Sequence, residues 1–303
     1  MKSFLITVDT EGDDLWRYHK GNPVGTKNVK FIPRFQELCN KYGFKPVWLT
    51  NYEMIMSDDY VQIMKGYLEK GQCEIGIHVH AWNNPPFFEL NGKYNGNPYL
   101  IEYPDKIMRE KFAVTYNLIA ERFGIKPISH RSGRWAMDDR YFKLLEEFGI
   151  KIDCSFTPGV SWASSVGETI DGGSDYRNVN HNAHMVGNIL EVPATVRHYS
   201  RYYTVGNLKH IVKGIMKGGN LWLRPAICTL SDMKKLVNDV RLEDGHDYLE
   251  FMLHSSELMP GGSPYFETVD QIEKMYKDVE SFFYYVSTLE YKGATLLEYS
   301  QNK

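Results

Sequence analysis

Four carboxylates crowd into six residues near the start of the chain: Asp9, Glu11, Asp13 and Asp14. Like charges at that density repel one another unless water or a cation screens them. They follow a short apolar run, which places them at the end of a buried strand rather than on an arbitrary loop. A second constellation, His78 and His80, directly follows another apolar run. Side chains two apart on an extended chain point the same way, and neutral imidazole is the commonest metal-binding side chain. Two such histidines beside an acidic strand end predict a divalent-metal centre of two imidazoles and a carboxylate. Three protein ligands leave room for water and substrate, which is the arrangement of a catalytic rather than a structural site.

Three further strand ends supply Arg131, Asp153 and His254. An arginine at that level can pin an ionised carboxylate such as Asp9 and hold its pKa low. His254 is the only other histidine expected on the same face. The aromatic content, with 21 Tyr and 6 Trp, suits a sugar-binding cleft and suits an ordinary core equally well, so it decides nothing alone.

Positioning these residues requires strands that end together. Short β-branched runs at 4–7, 46–50, 73–77, 127–130, 152–155, 189–196, 221–223, 248–253 and 294–298 read as strands. Helical periodicity covers 29–41, 58–70, 104–123, 139–148, 208–217, 231–240 and 269–287, and Gly43, Gly71, Gly124 and Gly149 follow four of these helices where a left-handed residue is expected. Strands alternating with helices imply βαβ units and a parallel sheet, whose active site forms at the C-terminal ends of the strands. The expected fold is α/β, a distorted (β/α) barrel of about seven parallel strands in a single domain over 1–303. A Ser-, Gly- and Asn-rich stretch at about 159–190 reads as a long loop insertion over the barrel mouth. Gly12 stands alone after the first strand, which argues against a dinucleotide fold.

A formal charge of −3 gives no electrostatic case for nucleic acid or an anionic membrane surface. No apolar stretch reaches the ~18 residues that a membrane span needs. The four cysteines are scattered without a paired motif, and no leader-like segment precedes the first strand, so a cytoplasmic enzyme is expected.

Five segments together resemble the polysaccharide deacetylase family, the NodB-homology or carbohydrate esterase 4 group. Residues 7–12 (Thr-Val-Asp-Thr-Glu-Gly) are similar to its first motif, with one catalytic carboxylate and one metal-binding carboxylate. Residues 74–80 (Glu-Ile-Gly-Ile-His-Val-His) resemble the metal-histidine motif. Residues 130–135 (His-Arg-Ser-Gly-Arg-Trp) resemble the third motif, whose arginine orients the base. Residues 152–159 (Ile-Asp-Cys-Ser-Phe-Thr-Pro-Gly) resemble the fourth, which lines the cleft. Residues 253–255 (Leu-His-Ser) resemble the fifth, whose histidine is the general acid. The order matches from residue 7 to residue 254.

Two departures stand out. The family's first motif has adjacent aspartates, whereas here the second carboxylate is Glu11. Its metal histidines lie four apart, whereas Trp82 occupies that position and His80 serves instead. The resemblance implies Asp9 as base, His254 as acid and Arg131 as the partner of Asp9. It implies Glu11, His78 and His80 as ligands of a divalent metal, with zinc expected, and with Asp13 or Asp14 in the place of Glu11 if the backbone turns early. Trp82, Trp135, Asp153, Thr157 and Pro158 are the expected substrate-binding residues, with a backbone N–H of Thr157 or Gly159 as oxyanion donor. The implied reaction is deacetylation of a sugar, on a cytoplasmic, nucleotide- or lipid-linked amino-sugar precursor of a surface polysaccharide. The alternatives are hydrolysis of a non-sugar C–N amide bond, as in allantoinase-like relatives, and a non-catalytic relative with a degenerate metal site.

Overall fold

The first strand, β1 (Lys2–Thr10), is buried from Phe4 to Thr10, as expected of a strand covered on both faces. Phe4, Ile6 and Val8 pack toward the helices in the main hydrophobic core. Leu5 joins a second cluster with Val47, Leu49, Ile152 and Tyr248 on the opposite, inner face. Thr7 and Asp9 share that inner face by the two-residue repeat. The computed structural model describes residues 2–18, 21–200 and 219–303.

The remaining strands are β2 (Val47–Thr50), β3 (Glu74–Val79), β4 (Ser129–Ser132), β5 (Ile152–Asp153), β6 (His184–Val186), β7 (Ile189–Glu191), β8 (Val196–Tyr199), β9 (Gly219–Trp222), β10 (Tyr248–His254) and β11 (Tyr291–Ala294). They build one sheet in the order β10-β1-β2-β3-β4-β5-β7-β6, with β11 on β1 and a separate β8–β9 ribbon. From β10 to β7 every pairing is parallel, and only the β6 edge runs against its neighbour. The curled sheet closes through single bonds: Leu223 N–H donates to Thr195 O at 3.0 Å, and Met252 N–H donates to Leu223 O at 3.1 Å. The result is the distorted (β/α) barrel that the strand–helix rhythm predicts.

Helices Ile32–Lys41, Asp58–Glu69, Asp105–Phe123, Asp139–Glu147, Leu230–Val240 and Val269–Ser287 pack outside it. Their starts are encoded locally: Ser57 accepts from Tyr60 N–H and Asp138 from Tyr141 N–H, caps worth about 1 kcal/mol each. Gly124 ends its helix at φ 71°, and its N–H closes on Ala120 O.

Three expectations shift. The strand expected at 189–196 is two, β7 and β8, with Pro193 between them, because proline cannot donate to a ladder. The strand expected at 294–298 is instead the end of β11 followed by helix Leu296–Ser300. Thr295 and Glu298 cap that helix reciprocally, a local signal that outweighs strand propensity. The 159–190 insertion ends in β6, a strand that its polar composition hides. The helix expected at 208–217 lies outside the described residues. Among the described residues no helix is long and apolar enough to cross a membrane.

Candidate active site

Alternation along each strand decides which side chains meet inside the barrel. On β3, Ile75, Ile77 and Val79 belong to the outer core, so His78 and then His80 face inward. On β10, Leu249, Phe251 and Leu253 face outward, leaving Glu250 and His254 inside. The registers bring these residues level: Asp9 pairs with His254 across β1 and β10, and His78 with Arg131 across β3 and β4.

The set expected to bind a metal is compact. His80 Nε2 lies 2.7 Å from Glu11 Oε2 and 3.1 Å from His78 Nε2, and His78 Nε2 lies 3.6 Å from the same Glu11 oxygen. Among the described residues, these three form the one group of His, Cys, Asp and Glu that could hold a metal ion, and all are buried. Ligand atoms on a tetrahedral zinc lie about 3.3 Å apart, given bond lengths of about 2.0–2.2 Å, so the donor set fits. His78 Nδ1 is 2.8 Å from Arg131 O. A carbonyl only accepts, so Nδ1 carries the proton and the lone pair of Nε2 faces the other two ligands, the outer contact that orients metal-binding histidines.

Asp9 is not in this set. Its Oδ1 accepts from Arg131 Nη1 at 2.7 Å, and its Oδ2 lies 3.7 Å from His254 Nε2. Burial raises the Asp9 pKa, but the charges of Arg131, His78 and His254 outweigh it and hold the carboxyl below its usual value. Burial likewise opposes ionisation of Glu11, yet His254, His78 and His80 drive it far down. For His78, Asp9 and Glu11 outweigh burial and the pKa rises, whereas burial wins at His80 and lowers it.

Several partners were not legible in the sequence. Arg131 is fully buried and forks between Asp9 and Glu250, donating to Glu250 Oε1 at 2.7 Å. Thr7 also donates to Glu250. Arg224, just beyond β9, donates to His254 Nδ1 at 3.0 Å and to Glu257 Oε1 at 2.5 Å. Neutral His254 therefore carries its proton on Nε2, toward Asp9. Glu257 follows His254 by three residues, and its proximity was the one available signal.

The site opens into a cleft of about 460 Å³ walled by Trp16, Trp82, Trp135, Trp162 and Tyr265. Trp82 and Trp135 are thus part of its wall, with the Trp82 ring 4.3 Å from that of His80. Asp153, Thr157 and Pro158 do not line it. Ile152 and Cys154 face the barrel interior, so Asp153 points outward, where it lies 2.6 Å from His130 Nδ1. Thr157 is buried and accepts from Trp162 Nε1 at 3.0 Å, and Pro158 is buried beside it. The Gly159 N–H, an expected oxyanion donor, is spent on Tyr176 O at 2.9 Å.

No family model matches the sequence, and no curated protein matches it. Solved structures do. A protein described as a polysaccharide deacetylase from Mycobacterium smegmatis superposes with a TM-score of 0.55 at 14% identity, over 99% of this chain and 90% of that one. A 4-alpha-glucanotransferase from Thermococcus litoralis gives 0.59 at 13% identity, over 100% of this chain and 40% of that one. A GH57 branching enzyme from Thermococcus kodakaraensis gives 0.57 at 11% identity, over 99% and 71%. The chain thus spans less than half the length of the glucanotransferase. At these identities the likeness is one of fold, the distorted (β/α) barrel that the sequence leads one to expect.

Proposed function

We propose that this chain is a metal-dependent hydrolase that removes an N-acetyl, or related acyl, group from a sugar. The observation that carries the reading is the convergence of Glu11, His78 and His80, with Asp9 and His254 beside them at the mouth of an aromatic-walled cleft. Glu11, His78 and His80 hold the ion, and zinc suits two imidazoles and a carboxylate. When bound, such an ion polarises a carbonyl and acidifies water.

The protein's own groups then divide the proton work. Asp9, kept ionised by Arg131, removes a proton from the water that attacks the amide carbon. Arg131 in turn fixes the direction of the Asp9 carboxylate. His254, in its doubly protonated form with Nδ1–H toward Glu257 Oε1 3.4 Å away, gives the Nε2 proton to the departing nitrogen as the C–N bond breaks and is left neutral, because an amine leaves poorly unless protonated. Acetate and a free amine result. Trp82 and Trp135 supply flat apolar faces for a sugar ring.

The finer reading is a cytoplasmic substrate, a nucleotide- or lipid-linked amino sugar used to build a surface polysaccharide. Four buried, unpaired cysteines support a reducing compartment. The test is release of acetate and amine from a panel of N-acetylated sugars, with chelation and zinc re-addition. Equimolar products that vanish with the metal support the reading. Turnover of non-sugar amides alone, or cleavage of α-glucans, replaces it.

A further inference from the structure

Two arginines stand in the wall of the metal-centre cleft, Arg134 and Arg224. Arg224 has a carboxylate partner in Glu257, and Arg131, behind Asp9, has both Asp9 and Glu250. Arg134 differs: among the described residues it makes no ion pair with a carboxylate. It donates instead to three neutral oxygens, Asn97 O, Ser165 Oγ and Val166 O, the last two at 2.8 Å. Glu102 is the carboxylate whose charge reaches it. The Glu102 oxygens, however, are taken by the backbone N–H groups of Tyr99, Glu168 and Thr169 and by the Thr169 hydroxyl. Burial works against the Arg134 charge and lowers its pKa, and Tyr99 and Glu102 offset only part of this. An arginine stays protonated regardless, so a half-buried cation is left without a counter-ion, which is an unfavourable state for a protein to keep.

Holding loops together does not account for it. Arg134 does tie the segments around Asn97 and Ser165 to the end of β4, but carbonyl and hydroxyl acceptors are served equally by a neutral amide. The backbone is unusual as well. Arg134 and Trp135 both lie in the left-handed region, at φ 56° and 62°, which residues other than glycine enter at a cost, and such strain gathers at ligand sites. Gly133, just before them, is pressed against the metal centre: a Cβ there would come 2.9 Å from His80 Nδ1. The strained turn therefore runs from His80 into the cleft wall, where Asn97 and Ser165 accompany the guanidinium.

The chemistry of this group selects a ligand. A guanidinium suits carboxylate and phosphate oxygens above all. Three of its five N–H groups serve the loop oxygens, and the others are left for a ligand. Asp9 and Glu11, the carboxylates of the cleft, are already engaged with Arg131 and with the histidines. At about 460 Å³ the cleft is of small-ligand size, so the anion and the acylated nitrogen belong to one small molecule.

We propose that Arg134 binds an anionic oxygen group, carboxylate or phosphate, carried by the sugar whose acyl group is removed, so that the cleft selects acidic over neutral amino sugars. The proposal rests on the sugar-deacetylase reading and names the substrate class.

The test is acetate release by the metal-loaded full chain from N-acetylglucosamine and N-acetylgalactosamine, each supplied as the neutral sugar, the 1-phosphate and the 6-carboxylate. In at least one series an acidic form should exceed its neutral parent about tenfold in kcat/KM, the gain from one charge-assisted hydrogen bond. Which form gains tells phosphate from carboxylate. In Arg134→Gln, which keeps an amide donor for the loop oxygens, the acidic-to-neutral ratio should fall toward one, chiefly through KM. Asn97→Asp gives an independent reading, and decides alone if Arg134→Gln does not fold. It sets a carboxylate beside the guanidinium, leaves the backbone oxygen that Arg134 uses, and should likewise bring the ratio toward one. No acidic preference in the parent, or a ratio that the variants leave unchanged, overturns the proposal. A uniform loss on acidic and neutral forms in Arg134→Gln shows that the residue only holds the loops, and overturns it too. If no sugar, neutral or acidic, is deacetylated, the deacetylase reading falls and this proposal falls with it.

Discussion

Arg131 and Asp9 meet inside the barrel from strands 122 residues apart, Nη1 to Oδ1 at 2.7 Å, with the arginine wholly out of water. The second arm of the guanidinium holds Glu250, so one cation balances two buried carboxylates. Replacing Arg131 by Met leaves both uncompensated and should cost about 3–5 kcal/mol of stability. Urea unfolding reads this directly, and a loss under about 1 kcal/mol would mean that the pairing is not made in solution.

Asp9→Asn keeps the size of the side chain and removes the base. Turnover should fall about 10²–10⁴-fold, the usual weight of general base catalysis, while bound metal stays near the wild-type level. Elemental analysis alongside the kinetics decides it: loss of the metal would make Asp9 a ligand, and unimpaired turnover would remove it from the chemistry.

Glu11, His78 and His80 behave oppositely. His78→Ala and His80→Ala should each lose both metal and activity, because two ligands bind far more weakly than three. Retention of stoichiometric metal by His80→Ala would hand its place to another residue.

His254→Ala separates acid catalysis from binding. Amide hydrolysis should slow at least about 10²-fold more than hydrolysis of an aryl acetate ester, whose leaving group needs no proton. Equal losses on the two substrates would take His254 out of the acid role.

His246, on the far side of the molecule from this chemistry, sets an acid limit on stability. It is 2% exposed and its Nδ1 lies 2.7 Å from Asn182 Oδ1. Burial first, and then Arg197, lowers its pKa to about 4 from an ordinary 6.5. Between those values the unfolded chain binds a proton that the folded chain refuses, so stability falls as pH drops from 6.5 toward 4, by up to about 3 kcal/mol. Unfolding free energies measured across that window should slope less steeply in His246→Gln. Parallel slopes would show that His246 is charged in the fold.

Much of the site was readable from local order alone. A buried strand that ends in carboxylates, and another that ends in two histidines one residue apart, need only the two-residue repeat to put each set on one side. Caps were equally local, as the Thr295–Glu298 pair shows, even where the expected element was wrong. Asp153 marks the boundary of this logic. Alternation says that neighbours in a strand diverge, yet only the packed barrel sets the phase that turned Ile152 and Cys154 inward and Asp153 toward His130.

What sequence order by itself determined was the set of strand ends and the residue types at them, because hydrophobic period and turn chemistry act over a few residues. The tertiary structure alone decided which of those ends touch. Glu250 sits mid-strand in β10, and Arg224 lies just past β9. Neither has a local signature, because each owes its role to a charge brought near by barrel closure: Arg131 for one, and His254 with Glu257 for the other. A buried charge must find its partner wherever the fold places it, and that place is written in the packing of the whole chain.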